Sequence, residues 1–473
     1  MSGRIEDAPP AADAQDPRRV DPELLRRYDV RGPRYTSYPP ANHFAEIDPE
    51  RVAEAWRARR ALDPDPGLGL YVHVPFCAVR CAFCGCHTTT ARPQAEVDAY
   101  VDAVQDEMAL AAEVVSADRI VRQVAIGGGT PNDLGAERIE RLLAGMERSF
   151  RIAGDAERSV EIDPRTATAG RIERFVAHGF RRFSLGVQDM DDAIIAPLRP
   201  GAGVAHVRRV VAVLRASGIE HINFDLIYGL PGQTPETMAR GAEALVELGP
   251  TRVALYSYAH VPWLHPHQAA LASRGLPTAD EKLRLFLAAM DVLRAAGLVP
   301  IGMDHFAMPS DPLARAAAAG TLHRNFMGYT TQRGLDLLAF GPSGISAVGP
   351  VYSQNAKETA AYLDAVARGR LPVYRGYFLS RDDEIRRELL LDVFCNFRAD
   401  LVALGRRFGI DAATYFADDL ARLGPMIADG LVEADGGRVA VTARGRFFVR
   451  NVCMAFDRHL EAVAGGQIYS RTV

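Results

Sequence analysis

Cysteine is scarce in this chain, with six residues among 473. No secretory segment precedes them, so a reducing cytosol is expected and a disulfide framework is not. Long hydrophobic runs are missing too. None approaches the roughly 20 residues that a membrane-spanning helix needs, so no membrane insertion is expected. Neither charge is in large excess. A net charge of −4 gives no reason to expect nucleic-acid binding. Lysine is almost absent, occurring only at Lys282 and Lys357, a bias that reads as genome composition. Residues 1–20 are polar and rich in Ala, Pro and Asp. They lack the apolar core of a signal peptide and read as a disordered tail. No solenoid-type repeat is visible.

What is present is concentrated. Four of the six cysteines, Cys77, Cys81, Cys84 and Cys86, lie within ten residues. The first three follow C-x3-C-x2-C. Three thiolates on one short loop suit three corners of a cubic iron–sulfur cluster, leaving the fourth iron for a ligand that is not protein. A closed electron-transfer cluster wants four cysteines. A structural zinc site wants four ligands, usually as two distant pairs. No second pair exists, since Cys395 and Cys453 are isolated. The single residue between Cys84 and Cys86 makes it awkward for both to reach separate corners, so Cys86 reads as a neighbour of the cluster.

Hydrophobic residues at 48% allow a large core, and 473 residues suggest two or three domains. From Gly69 to Ser346 short apolar runs alternate with amphipathic stretches. Strands are expected at Leu70–Val74, Val121–Ile126, Ser159–Ile162, Arg182–Val187, His221–Ile227 and Val253–Tyr258, with a short one near Val299–Met303. Helices fit between them. In the helix at Ala95–Val115, Val97, Tyr100, Val101, Val104 and Met108 recur on one face. The next helices fall near Ala136–Phe150, from Thr166 or Thr168 to Gly179, and near His206–Ala216, Pro235–Leu248 and Ala279–Ala296. Such alternation implies an α/β fold with a parallel sheet closed into a partial (β/α)6, TIM-like barrel. After Pro372 the pattern changes. Ser380 starts a helix, another is expected at Ala412–Asp429, Leu431–Thr442 reads as a hairpin and Arg444–Val463 as a last helix. This mainly helical, winged-helix-like domain reads as packing or lid. Its alternative is a DNA contact through Arg444, Arg446 and Arg450. The expected divisions are 1–20 tail, 21–68 covering segment and helix, 69–371 barrel, and 372–473 helical domain.

Barrel chemistry sits at the C-terminal ends of strands. The unusual residues fall there: the cysteine loop, Gly127-Gly128-Gly129-Thr130-Pro131, Glu161, Gln188 and Asp225. The glycine run is no phosphate loop, because no G-K-[ST] follows. It exposes backbone that a ligand can approach closely, or it is a tight turn. Glu161 alternates inward between Val160 and Ile162 and reads as a ligand group, or as half of an ion pair with a neighbouring arginine. Asp225 is an acid in an otherwise apolar strand and suits a ribose hydroxyl pair.

Together these residues resemble the radical S-adenosylmethionine superfamily. Tyr71-x-His73-x-Pro75-Phe76-Cys77-x3-Cys81-x-Phe83-Cys84-Gly85-Cys86 resembles the oxygen-independent coproporphyrinogen III oxidase branch. So do Arg34-Tyr-Thr-Ser-Tyr-Pro39, Ile126-Gly-Gly-Gly-Thr-Pro131, Met303-Asp-His-Phe306 and Leu322-His-Arg-Asn-Phe-x-Gly-Tyr-Thr-Thr-Gln332. The match runs from about Arg31 onward. By resemblance, Cys77, Cys81 and Cys84 ligate one [4Fe–4S] cluster, and a first S-adenosylmethionine contacts Tyr71, Gly128, Glu161 and Ile345. A second S-adenosylmethionine contacts Phe83, Gly129, Thr130, Gln188, Asp225 and Ala259. One family arginine is Pro200 here, with Arg199 adjacent.

The implied reaction is oxidative decarboxylation of two propionates of coproporphyrinogen III to vinyl groups, driven by a 5′-deoxyadenosyl radical that takes a hydrogen from the propionate β-carbon. CO2 and one electron leave each time. The tetracarboxylate needs cations, and Arg31, Arg34 and Arg324 are candidates. The resemblance further implies an unidentified low-potential electron donor, a cytoplasmic monomer and no nucleic acid. Competing readings are a heme-binding chaperone of the same superfamily, and a sibling enzyme for methyl transfer or heme breakdown. The chaperones lack both Cys86 and the Arg-Tyr-Thr-Ser-Tyr-Pro segment, and both are present here.

Overall fold

The computed structural model describes residues 22–61, 65–90, 92–460 and 469–472; the expected tail at 1–20 lies outside them. The strands, in chain order, are β1 (Ala45–Glu46), β2 (Leu68–Val74), β3 (Ile120–Gly128), β4 (Arg151–Ile162), β5 (Arg182–Gln188), β6 (His221–Tyr228) and β7 (Arg252–Ser257). Then come β8 (Val299–Ile301), β9 (His305–Ala307), β10 (His323–Asn325), β11 (Gly328–Thr330), β12 (Asp336–Phe340), β13 (Ile345–Val348), β14 (Val351–Asn355) and β15 (Val373–Phe378). A last group is β16 (Arg398–Asp400), β17 (Val432–Ala434) and β18 (Arg438–Val441).

Among the described residues thirteen strands form one sheet in the order β1-β15-β14-β13-β12-β2-β3-β4-β5-β6-β7-β9-β8. From β12 through β7 the neighbours are parallel; both flanks are antiparallel. The order is linear, with β1 and β8 at its ends, so the barrel is open, as the partial (β/α)6 reading requires. Helices cover the outside. Gln94–Val115 buries Val97, Tyr100, Val101, Val104 and Met108, the face expected from their spacing. Leu68, Leu70, Val72 and Val74 alternate along β2 onto one face, which is fully buried in the core with Val97, Tyr100 and Val101. The helix at Ala169–Ala177 follows Thr168, not Thr166, and Gly179 beyond its end has φ 78°.

The structure adds what the alternation did not reveal. The strand expected near Val299–Met303 stops at Ile301 and pairs antiparallel with β9. β12 lies parallel beside β2, and β13, β14 and β15 extend that side as a meander. The sheet also takes up β1 and β15, on either side of 69–371. β12 and β14 are buried throughout, so they carry no alternating pattern.

In the C-terminal part, helix Arg381–Asn396 opens with a capping box of Ser380 and Asp383. The single helix expected at Ala412–Asp429 is three pieces: Ala412–Tyr415, Ala417–Arg422 and Gly424–Ala428. Pro425, which lacks an N–H, is the second residue of the third piece and cannot continue a helix from the piece before it. The hairpin forms as β17 and β18. Asp435 Oδ1 accepts from Gly437 N at 2.7 Å and Arg438 N at 2.9 Å, and β16 adds a third strand. The last helix is Val449–Ala455, shorter than expected; Asp457 turns the chain by accepting from His459 N, and the remaining expected residues 461–463 lie outside the described ones. No helix among the described residues is long and apolar enough to cross a membrane.

Candidate active site

The cysteine loop leaves the end of β2 and is fixed through its backbone. Cys77 N donates to Thr89 O at 3.1 Å, Ala82 N to Leu198 O at 2.8 Å, and the Cys84 carbonyl accepts from Gln268 Nε2 at 3.2 Å. Phe83 anchors the loop in an apolar cluster with Ile195, Leu198, Leu230, Tyr258 and Leu271. All four thiols are free; Cys77, Cys81 and Cys84 are partly buried, and Cys77 Sγ lies 3.3 Å from Thr130 Oγ1. Burial pushes the Cys77 thiol up to about 11 and raises Cys81 as well, the latter opposed by Arg199 and Arg165. A hydrogen bond from Cys86 holds Cys84 below the usual thiol range, and the same bond pushes Cys86 up. Among the described residues no three His, Cys, Asp or Glu side chains gather around a single metal ion.

The glycines at the end of β3 form the floor beside this loop. A Cβ on Gly127 would lie 2.7 Å from the Glu161 carboxyl carbon, on Gly128 2.7 Å from the His73 ring, and on Gly129 2.6 Å from the Phe76 carbonyl oxygen. Each missing side chain therefore makes room for a different neighbour. Gly128 N donates to Glu161 Oε2 at 3.0 Å, and Gly129 N to Val74 O at 2.7 Å.

Inside the open barrel a cavity of about 160 Å³ is lined by Tyr71, Glu161, Asp225, Tyr256 and His305, among others. Burial, with the nearby Asp225 charge, raises the Glu161 carboxyl to about 7 against the Gly128 bond. Asp225 is also raised by burial, and accepts from Ser184 Oγ at 2.8 Å and Asn223 Nδ2 at 2.9 Å. The alternative of an arginine partner for Glu161 is not realised among the described residues, where no salt bridge reaches it. Two raised acids facing one cavity, without a cation of their own, are suited to a ligand that brings positive charge and donors.

Gln188 ends β5 at φ 72°, where the pairing with β6 slips by one residue. Arg199, beside Pro200, is committed elsewhere: it pairs with Asp163 at 3.0 Å and donates to the Gly186 carbonyl. Ile345 stands apart from the inner cavity, packed against Phe44, Tyr352 and Leu379.

A second cavity of about 290 Å³ opens at the barrel mouth, lined by Arg31, Arg34, Tyr228, Ala259, Lys282 and Asp304 among others. Arg31 donates to the Tyr469 carbonyl at 3.2 Å and lies over the Trp263 ring. Arg34 donates to the Ser257 carbonyl at 3.4 Å, and burial pushes its guanidinium below its ordinary value. Arg324 does not join them. It lines a third cavity of about 290 Å³ beside Arg387 and Tyr352, stacked on Tyr329 and Phe394, with Nε and Nη1 unpartnered. Sequence reasoning passed over Asp304 and His305, which pair at 2.6 Å, although Met303-Asp-His-Phe306 was among its motifs. It also gave Lys282 no role. Of the arginines weighed for DNA, Arg450 turns inward to the carbonyls of Gly32, Pro33 and Arg471, and Arg446 lies over the Phe397 ring.

Comparison with known proteins is consistent with this site. The model of the radical SAM superfamily matches residues 71–245, and that of the HemN C-terminal domain matches residues 379–448. The chain is 41% identical over 453 residues to the oxygen-independent coproporphyrinogen III oxidase of Salmonella typhimurium, covering 96% of this chain and 98% of the relative. Identity to the Escherichia coli protein of the same name is 40%, with the same coverage. The solved structure of coproporphyrinogen III oxidase (HemN) from Escherichia coli, described as a radical SAM enzyme, superposes with a TM-score of 0.87 at 39% identity, covering 93% of this chain and 99% of that one.

Proposed function

The chain belongs to the oxygen-independent coproporphyrinogen III oxidase family of the radical SAM superfamily, and from that membership we infer that it decarboxylates coproporphyrinogen III to protoporphyrinogen IX in heme biosynthesis. The observation that carries the reading is a three-thiol loop leaving the end of β2 with two acids, Glu161 of β4 and Asp225 of β6, facing one cavity of the same parallel sheet. The family brings a [4Fe–4S] cluster and S-adenosylmethionine. When bound, these supply one-electron cleavage of the sulfonium and so the hydrogen-abstracting radical.

Cys77, Cys81 and Cys84 would hold the cluster. Their fit is supported by three free, partly exposed thiols on one backbone-pinned loop, with Arg165 and Arg199 opposing the anionic charge near Cys81. Cys86 stays outside the ligand set as a hydrogen-bond partner of Cys84. Gly128, Glu161 and Tyr71 would take the polar end of a first S-adenosylmethionine; Ile345, packed outside that cavity with Phe44, Tyr352 and Leu379, joins them by family resemblance alone. Phe83, Gly129, Thr130, Gln188, Asp225 and Ala259 would serve a second. The arginine lost at Pro200 has no free replacement, because Arg199 is bound to Asp163. Asp225, already held by Ser184 and Asn223, keeps a fixed orientation for ligand hydroxyls. Arg31 and Arg34 would grip substrate carboxylates at the mouth, and Arg324 would act deeper, from behind Tyr329. The C-terminal domain and residues 28–34 would cover the mouth and exclude water. The enzyme would work as a cytoplasmic monomer, supplied by a low-potential donor and without nucleic acid.

The test is anaerobic reconstitution with iron and sulfide, then reductant, S-adenosylmethionine and coproporphyrinogen III. The expected products are protoporphyrinogen IX, CO2 and methionine. Tight heme binding without turnover would instead identify the chaperone.

A further inference from the structure

Arg31, Arg34 and Lys282 line the cavity at the barrel mouth without a salt-bridging carboxylate among the described residues. Arg31 and Arg34 bond only backbone carbonyls, and so does Lys282, whose Nζ donates to Tyr258 O at 3.1 Å. The acid in that cavity, Asp304, is engaged by His305 Nδ1 at 2.6 Å, and Arg471 is matched by Asp29 at 2.9 Å.

The place of Lys282 is built into the fold. Its helix, Ala279–Ala295, begins with a capping box of Thr278 and Glu281, which fixes the first turn. The lysine stem then crosses Gly229, where a Cβ would lie 2.9 Å from Cε and 3.3 Å from Cγ. Gly229 has φ 89°, a conformation that disfavours a side chain, so the lane stays open. The chain writes nearly every cation as arginine, yet keeps one of its two lysines here. An ammonium is a compact charge with three donors. One is spent on Tyr258 O, and the side chain lines the cavity.

We propose that Lys282 is a carboxylate-binding residue of the substrate site, gripping, with Arg31 and Arg34, propionates of the porphyrinogen that are not being oxidised. The proposal rests on the functional reading above and names the residue that reading lacked. The retained propionates are its ligands for a chemical reason. A carboxylate that leaves as CO2 must give up its negative charge, and a tight cation opposes that loss. Lys282 lines the mouth cavity and not the inner one, which holds Glu161 and Asp225.

The experiment compares Lys282→Met and Lys282→Arg in the reconstituted holoenzyme. The methionine variant should raise KM for coproporphyrinogen III roughly 10- to 100-fold, as expected for losing a hydrogen bond to a charged group. The arginine variant should recover most of that loss. Cluster absorbance, kcat and porphyrinogen-independent cleavage of S-adenosylmethionine should stay at wild-type levels. An unchanged KM in Lys282→Met overturns the proposal. So does an equal loss in both variants with a lowered Tm, which would mark a structural role. A wild-type protein that makes no protoporphyrinogen IX removes the functional reading itself, a result separable from either.

Discussion

Gly129 is the tightest of the three glycines beside the cysteine loop. Its added Cβ would meet the carbonyl oxygens of Phe76 at 2.6 Å and Val74 at 2.9 Å, both backbone atoms at the root of that loop. Backbone cannot swing aside as a side-chain tip can, so the strain must move the loop. Gly129→Ala is therefore expected to reconstitute with less than half the wild-type iron, read by iron and sulfide assay, while far-UV circular dichroism stays unchanged. Wild-type iron content would show that the loop yields. At this scale the sequence was informative where chemistry is rare: three spaced thiols and an acid inside a strand stand out from any background. It gave Asp304, His305 and Lys282 no role, because single polar residues on ordinary elements carry no spacing from which a role can be read.

The elements follow the same division. The long helix Gln94–Val115 was legible from its apolar stripe, and so were six of the seven parallel strands. The short strands β12 to β15 were not, since they pair through contacts distant in sequence. Glu107 was overlooked although it sits three residues after Val104, on the buried face. It ties the helix to the far side of the sheet, accepting from Tyr362 Oη at 2.6 Å, Asn355 Nδ2 at 2.6 Å and Gly341 N at 2.9 Å. Burial nevertheless raises its carboxyl to about 7, above an ordinary 4.5. The folded state thus favours the protonated form. Its stabilising contribution is complete below about pH 4.5 and is lost as pH rises towards 7. Glu107→Gln cannot ionise. Urea unfolding should show wild-type stability falling relative to the variant across this window, by an amount of the order of 2 kcal/mol. Parallel pH profiles would contradict the assignment.

Over the whole molecule, the two ends of the described chain meet across the barrel mouth, which no local sequence pattern announces. Thr472 N donates to Val30 O at 2.7 Å, and Gly32 N to Ser470 O at 3.2 Å. Arg450 pins this strap from beneath. It is 5% exposed, and its guanidinium donates to Pro33 O at 3.0 Å, Arg471 O at 2.8 Å and Gly32 O. Arg31 and Arg34 flank the pinned residues, so their reach over the cavity depends on the clamp rather than on their own packing. Arg450→Met keeps the apolar stem and removes every donor, leaving three carbonyls to find water. The strap should loosen, with faster proteolysis between residues 28 and 34 and a KM for coproporphyrinogen III raised about tenfold, the size of one lost charged hydrogen bond. Cleavage of S-adenosylmethionine without porphyrinogen should not change, because the cysteine loop and inner cavity lie on other elements. A variant whose protease sensitivity rises while KM stays at the wild-type value would separate the strap from substrate binding and leave it a purely structural tie.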